Sequence, residues 1–452
     1  MKWMINRFAV RRGAPGKTDL EVEAALTVDH TTDPEEAFKS AARLGMAREG
    51  RQAVRVADAD ADLAASVAAL VVTGFCHGAF RLSTESVRAL AGARLRGEEK
   101  LGLHYSRDAL CDYGGRLILE CEADVTAAVA KALRVARCEG YARMLGMLPN
   151  NLLRIDDMVD YLTDMAAASG LKCEILRDDA LREARCGGIL AVNRGSGQQA
   201  ALAVLSALPE HELFPAVALV GKGVMFDAGG YHLKSVGEMR HMQSDMCGAA
   251  VAAELMELLR QPDRAMYAVI PLVENVVGPE ALKMGDVVCT SSGQTVEVYN
   301  TDAEGRLILC DALTRAQRLG AGTVIDIATL TYGAQSALGD EVAACFCNDP
   351  DLSEMFLEAA SAAIQPAWPL PLDRRYHRAL EWSEVADFAN YAPGYGASAC
   401  TAAAFLEKFI DQETSWLHID AVGPSVRRGA CDWECKGATG YGLRALAGLL
   451  EY

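Results

Sequence analysis

The chain has 452 residues, 51% hydrophobic and only 6% aromatic, which is too long for one ordinary domain and predicts two or three in a well-packed α/β protein. Its 44 basic and 61 acidic residues leave a formal charge of −17, which favours solubility and argues against a broad surface for nucleic acid or anionic membrane. No apolar core follows the start "MKWMINRFAVRRGAPGK", so no signal peptide is expected, and runs such as "AALVVTGF" are too short to span a bilayer.

In the first part of the chain, "QAVRVAD" and "RLILECEA" read as strands, and "DLAASVAALVVTGF" and "TAAVAKALRVARCEGYARML" as helices. The Pro/Asn turn of "GMLPNNLLRIDDM" marks a boundary, which divides the chain into an N-terminal α/β domain over 1–144 and a second domain over 145–452. The apolar runs "CEIL", "GILAVNRG" and "ALAVLSAL" then lead to "AVALVGKG". "GAAVAAELMELL" has helical spacing, and "AMYAVIPLVE", "TVEVYN" and "GTVIDIATL" read as further strands. Between the last two lies a helix from about Leu307. The alternation predicts a doubly wound, mostly parallel sheet flanked by helices. The 14 cysteines are scattered without a CxxC pair, and Cys345 and Cys347 are too close for a usual disulfide. Reduced thiols in a cytoplasmic protein are expected.

Chemistry in such sheets gathers where loops leave the carboxyl ends of strands. Three loops answer to that: "VGKGVMFDAGGYHLK", "HMQSDMCGAA" and "YNTDAEGRLILC". Together they offer the acids Asp227, Asp245, Asp302 and Glu304 with the cations Lys222, Lys234 and Arg306. Four carboxylates brought together repel each other unless cations neutralise them, and a pair of hard divalent metals does this well. An extended segment would point Asp302, Glu304 and Arg306 to one face. The alternatives are plain ones. Each acid could cap a helix, His232 and His241 read as surface polar residues, and the nearby methionines read as packing. Lys222 is not part of a Walker loop, which needs GxxxxGK[ST]. Spacing alone leaves a metal site and a set of caps both open.

The three blocks resemble the signatures of the leucyl aminopeptidase (cytosol aminopeptidase) family, above all "NTDAEGR". "WPLPLD", "ADFANY", "AAAFLEKFI", "WLHIDAVG" and "KGATGYGLR" follow in the family's order, so the likeness covers roughly 145–452. The resemblance implies a metal-dependent exopeptidase that removes N-terminal residues from short peptides. It implies two divalent ions per chain, Zn²⁺ or Mn²⁺, held by Lys222, Asp227, Asp245, Asp302 and Glu304, with Asp227 and Glu304 bridging both. Lys234 would stabilise the oxyanion, and Arg306 would carry a bicarbonate that takes the proton of the attacking water. The "ATLT" segment, Ala328 to Thr331 with Thr329 and Leu330, would line the first-residue pocket with Met242, and Tyr332 after it would either narrow that pocket or turn away into a subunit contact. The resemblance further implies a homohexamer, with residues 1–144 serving assembly or regulation. Three departures stand out: Tyr332 where the family has Gly after "ATLT", "FDAGG" for "FDTGG", and "HIDAVG" for "HLDIAG". None removes an expected ligand. The rival readings are a structural or DNA-binding family member and a two-metal phosphoesterase or a different amidase. Intact ligands weigh against a purely structural role, the net charge against DNA binding, and the missing His ligands against the phosphoesterase.

Overall fold

The computed structural model describes residues 8–11, 26–28, 31–47, 51–57, 60–113, 116–210, 214–259, 263–429 and 431–450. In the N-terminal part a four-stranded parallel sheet runs in the order Phe8–Arg11, Arg116–Glu120, Arg51–Val56, Leu26–Val28. The expected helix forms as Ala61–Ala79, its first turn capped by the Asp60 carboxylate, which accepts from the backbone N–H of Asp62 and Leu63. At 19 residues it is longer than the "AALVVTGF" run and is long and apolar enough to cross a membrane. More than half of that stretch (56%) is buried, packed against Pro34–Ala47 and Thr126–Met147, so its apolarity serves the core. Thr126–Met147 carries the chain across position 144 without a break and packs on Cys247–Leu258.

The larger sheet has nine strands. Eight follow the order Ala367–Pro369, Ala343–Cys347, Ser415–Asp420, Thr323–Ala328, Val217–Gly221, Met266–Asn275, Ala201–Ala207, Lys172–Leu176, while Gly223–Asp227 pairs with the far end of Met266–Asn275. The four central strands, Ser415–Asp420 to Met266–Asn275, are parallel, and antiparallel pairing is confined to the flanks. Alternate residues supply two separate cores. Leu219, Ile325, Ile327 and Leu417 join one with the helix Cys247–Leu258, and Ala218, Val220, Val324 and Trp416 join the other with Gly305–Arg318. The doubly wound, mostly parallel α/β architecture is therefore as the alternation predicts.

Local differences have physical causes. "TVEVYN" contributes only Thr295–Glu297, and to a small separate sheet with Val287–Cys289 and Phe388–Ala389. "GILAVNRG" is a short helix, Gly187–Val192, ending in a 3-10 turn. Buried Asp311 accepts from the N–H of Ile189 at its start, so a tertiary contact overrides the strand-like apolar run. The helix placed near Leu307 begins at Gly305. All 14 cysteines are free.

Candidate metal centre and active site

The three loops converge at the carboxyl ends of the central strands. Lys222 directly follows Val217–Gly221, Asp227 ends Gly223–Asp227, and Thr329 follows Thr323–Ala328. Asp245 sits just before the helix Cys247–Leu258, and Asp302 and Glu304 lie in the turn before Gly305–Arg318. Two glycines with left-handed backbone, Gly229 (φ 85°) and Gly230 (φ 64°), turn the chain back after Asp227 and return Lys234 to it. Gly305 keeps space for Lys222, since a Cβ there would lie 2.5 Å from Lys222 Cε.

One carboxylate oxygen from each of Asp227, Asp302 and Glu304 lies within 4.8 Å of the others. Lys222 Nζ donates to Asp245 Oδ1 at 2.9 Å and to the Thr329 carbonyl at 2.9 Å, and lies 3.0 Å from Glu304 Oε1. Lys234 Nζ is 2.8 Å from Asp227 Oδ2 and also contacts Asp302 Oδ1. Thr329 Oγ1 donates to Asp245 Oδ1 at 2.6 Å. Buried Asn275 is a residue the loop patterns did not single out. Its amide donates to Asp227 Oδ1 (2.9 Å) and to the Thr301 carbonyl (3.0 Å), tying two of the loops together.

The site is short of positive charge. Its four carboxylates face two ammonium groups, a formal balance of −4 + 2 = −2. Burial, with repulsion from Asp227 and Glu304 adding to it, pushes Asp245 up to about 8. Burial and the charges of Glu304 and Asp227 push Asp302 up to about 7, and Glu304 is raised for the same kind of reason. Burial opposes the charge on Lys222 and Lys234, yet the surrounding acids outweigh it and hold both ammonium groups above the range of free lysine. Among the described residues no hydrogen bond reaches Asp245 Oδ2, although the Lys222 ammonium is 2.8 Å away. A dense set of oxygen donors with surplus negative charge fits hard divalent cations.

That electrostatic strain has a measurable sign. Acids whose folded-state pKa is raised stabilise the fold while protonated, and the stability is lost as pH rises through the folded value. Divalent ions bound there would take the place of those protons. The gain in Tm on adding Mn²⁺ to metal-stripped protein is therefore expected to be larger at about pH 8 than at about pH 6. A gain that shrinks with rising pH would count against cations in the acid cluster.

Met242, Thr329, Leu330 and Tyr332 line the same cavity as the five acid and lysine side chains Lys222, Asp227, Asp245, Asp302 and Glu304, and Lys234 lines it too. Tyr332 faces inward, its ring centroid 5.6 Å from Lys234 Nζ. Arg306 differs from expectation. Residues 301–302 form a turn and Glu304 already has helical backbone (φ −75°, ψ −36°), so the segment is not extended and Arg306 leaves the face of its neighbours. The residue is 3% exposed, Nη1 donates to the Asn390 carbonyl at 2.9 Å, and Nε has no hydrogen-bond partner among the described residues. Burial lowers its pKa to about 10, against the opposing field of Glu304. Asn390 is another residue the spacing missed. It is fully buried, accepts from the N–H of Tyr299 and Asn300, and donates to the Asn300 carbonyl, which fixes the turn carrying Asp302. Ser244, Val422, Val426 and Arg428 complete the lining. His232 is a structural clip, exchanging hydrogen bonds with Thr301. Asp420 caps the Thr331 turn, accepting from Thr331 Oγ1 at 2.6 Å.

Fold and site together define a doubly wound α/β protein with a carboxylate and lysine cluster suited to divalent cations. Comparison with known proteins carries this further. The profile "Cytosol aminopeptidase family, catalytic domain" matches residues 140–447, and the chain belongs to that family. It is thereby a hydrolase of the metal-dependent aminopeptidase class. A probable cytosol aminopeptidase of Chlorobaculum tepidum is 39% identical over 85% of this chain and 75% of the relative. One of Bacillus subtilis is 37% identical over 72% of this chain and 66% of the relative. Among solved structures, the bottromycin maturation enzyme BotP in complex with Mn superposes with a TM-score of 0.80 at 30% identity, covering 93% of this chain and 88% of that one.

Proposed function

We propose that the chain releases N-terminal amino acids from short peptides at this site. The observation that carries the reading is the convergence of Asp227, Asp302 and Glu304 oxygens within 4.8 Å, with Lys222 and Asp245 beside them. These five residues would hold two divalent ions, Zn²⁺ or Mn²⁺. Such ions acidify a water and polarise the scissile carbonyl. Lys222 must give up its Nζ proton to serve as a ligand, which a neighbouring dication promotes. Lys234, tethered to Asp227 and Asp302, would keep its proton and donate to the developing oxyanion. Arg306 has an unpartnered Nε in a buried setting, which fits an anion such as bicarbonate. That anion would supply a proton acceptor. Hydrolysis of an aminoacyl chromogenic substrate with added Mn²⁺ or Zn²⁺ tests the reading, beside a phosphate ester control. Turnover of the ester alone would overturn it.

Tyr332 narrows the first-residue pocket, because its ring lies in the cavity beside Lys234. Tyr332→Gly is expected to raise kcat/KM for peptides beginning with Phe or Trp, relative to Ala, by about tenfold. An unchanged ranking across a substrate panel would show that the ring sets no limit. The proposal extends to a cytoplasmic homohexamer with residues 1–144 serving assembly, on the strength of family membership. Exposed Tyr231, Leu233 and Val236 beside the site provide apolar surface for contacts. Native mass spectrometry showing an active monomer would contradict the assembly.

A further inference from the structure

Arg428 lines the cavity from a segment far from the three acid-bearing loops. Its placement follows from strand alternation. The short strand Val426–Arg427 pairs antiparallel with Gly437–Ala438, so Val426 and Arg428 share one side and Arg427 takes the other. Val426 and Arg428 accordingly line the cavity, while Arg427 Nε donates to Glu434 Oε2 at 2.7 Å and its guanidinium stacks over the Trp433 ring. Glu434 is held in turn by His77 Nε2 at 2.9 Å. The backbone behind Arg428 is thus pinned from below, and its side chain is exposed at the cavity. No ion pair or hydrogen bond within the described residues engages its guanidinium. Its charge is felt at His241, next to the cavity-lining Met242; this histidine is held below the usual range by partial burial first and by Arg240 and Arg428 after it. In a chain of net charge −17, an arginine with no acid of its own beside a catalytic cavity is a local exception.

We infer that Arg428 is a specificity-determining residue that binds a carboxylate of the peptide substrate. The inference rests on the aminopeptidase reading above. A guanidinium recognises a carboxylate through two parallel N–H donors, and this one has both free for a guest. With the four acids compensated by divalent ions, nothing at the cavity floor opposes an anionic group. The carboxylate has two sources: an Asp or Glu side chain at the first residue, or the C-terminal carboxylate of a very short peptide.

The test uses the full chain loaded with Mn²⁺ and three substrate series: Glu-first dipeptide amides, Leu-first dipeptide acids and Leu-first dipeptide amides. The ratio of kcat/KM for the carboxylate-bearing series over the neutral amides is expected to fall about tenfold in Arg428→Ala. Arg428→Glu is expected to turn the preference toward Lys-first peptides, a gain that a merely structural residue would not produce. Calorimetric binding of free glutamate relative to leucinamide should weaken in parallel. A fall confined to Glu-first amides assigns the first-residue side chain, and one confined to Leu-first acids assigns the C-terminus. A wild type that hydrolyses all three series, with both ratios within about threefold in both variants, overturns the assignment alone. A wild type that hydrolyses none of them overturns the aminopeptidase reading and the assignment with it.

Discussion

Asp245→Ala and Glu304→Ala are each expected to lower kcat/KM by more than about 1000-fold, beyond the 10–100-fold typical of outer-shell partners of a metal. Asp245 accepts from Lys222 and Thr329, and Glu304 lies 3.0 Å from Lys222, so either loss opens the centre of the cluster. The fold should survive. Burial and mutual repulsion raise both carboxyl groups above the usual range, so removing one relieves a penalty of the metal-free protein. Circular dichroism and thermal melting of the stripped variants check this beside the kinetics. A variant that keeps a near wild-type rate would remove these residues from the ligand set.

Lys234→Ala separates binding from chemistry. Its ammonium touches Asp227 and Asp302 and has no place in the proposed ligand set, so the two proposed ions should remain by elemental analysis. The rate should fall about 100–1000-fold in kcat, as for the loss of one oxyanion donor. Arg306→Ala should be comparably impaired, and excess bicarbonate should restore part of its activity. The guanidinium it removes is buried with Nε unpartnered, so an anion can occupy the space. An Arg306→Ala enzyme as fast as wild type contradicts the anion role.

Much of this was legible in the sequence, for identifiable reasons. Strong apolar runs such as 217–220 and 266–273 are strands buried on both faces, and the loops after them had to carry the polar chemistry. Asp227, Asp302 and Glu304 stood out because acids beside apolar runs need partners, and the structure brings them together. The reading of 302–306 as extended failed because the helix Gly305–Arg318 starts two residues earlier than its apolar face announces. Glu304 therefore turns inward and Arg306 departs toward Asn390. Asn275, Asn390 and Arg428 were not legible. Asn390 acts on the turn at 299–303 and Asn275 on Asp227 and Thr301, both across a long sequence separation, and neither a lone amide nor a lone arginine carries a period or a spacing. "GILAVNRG" was obscured for a related reason, since its helix depends on a carboxylate more than 100 residues away in sequence.

The acid cluster is proposed to work by holding two divalent ions. The measurement is a titration of metal-stripped protein with Mn²⁺ or Zn²⁺, with bound metal and aminopeptidase rate followed on the same samples. No turnover is expected in the stripped protein, and activity should rise with occupancy to two ions per chain. Full activity in chelator-treated protein shown to be free of metal would contradict it.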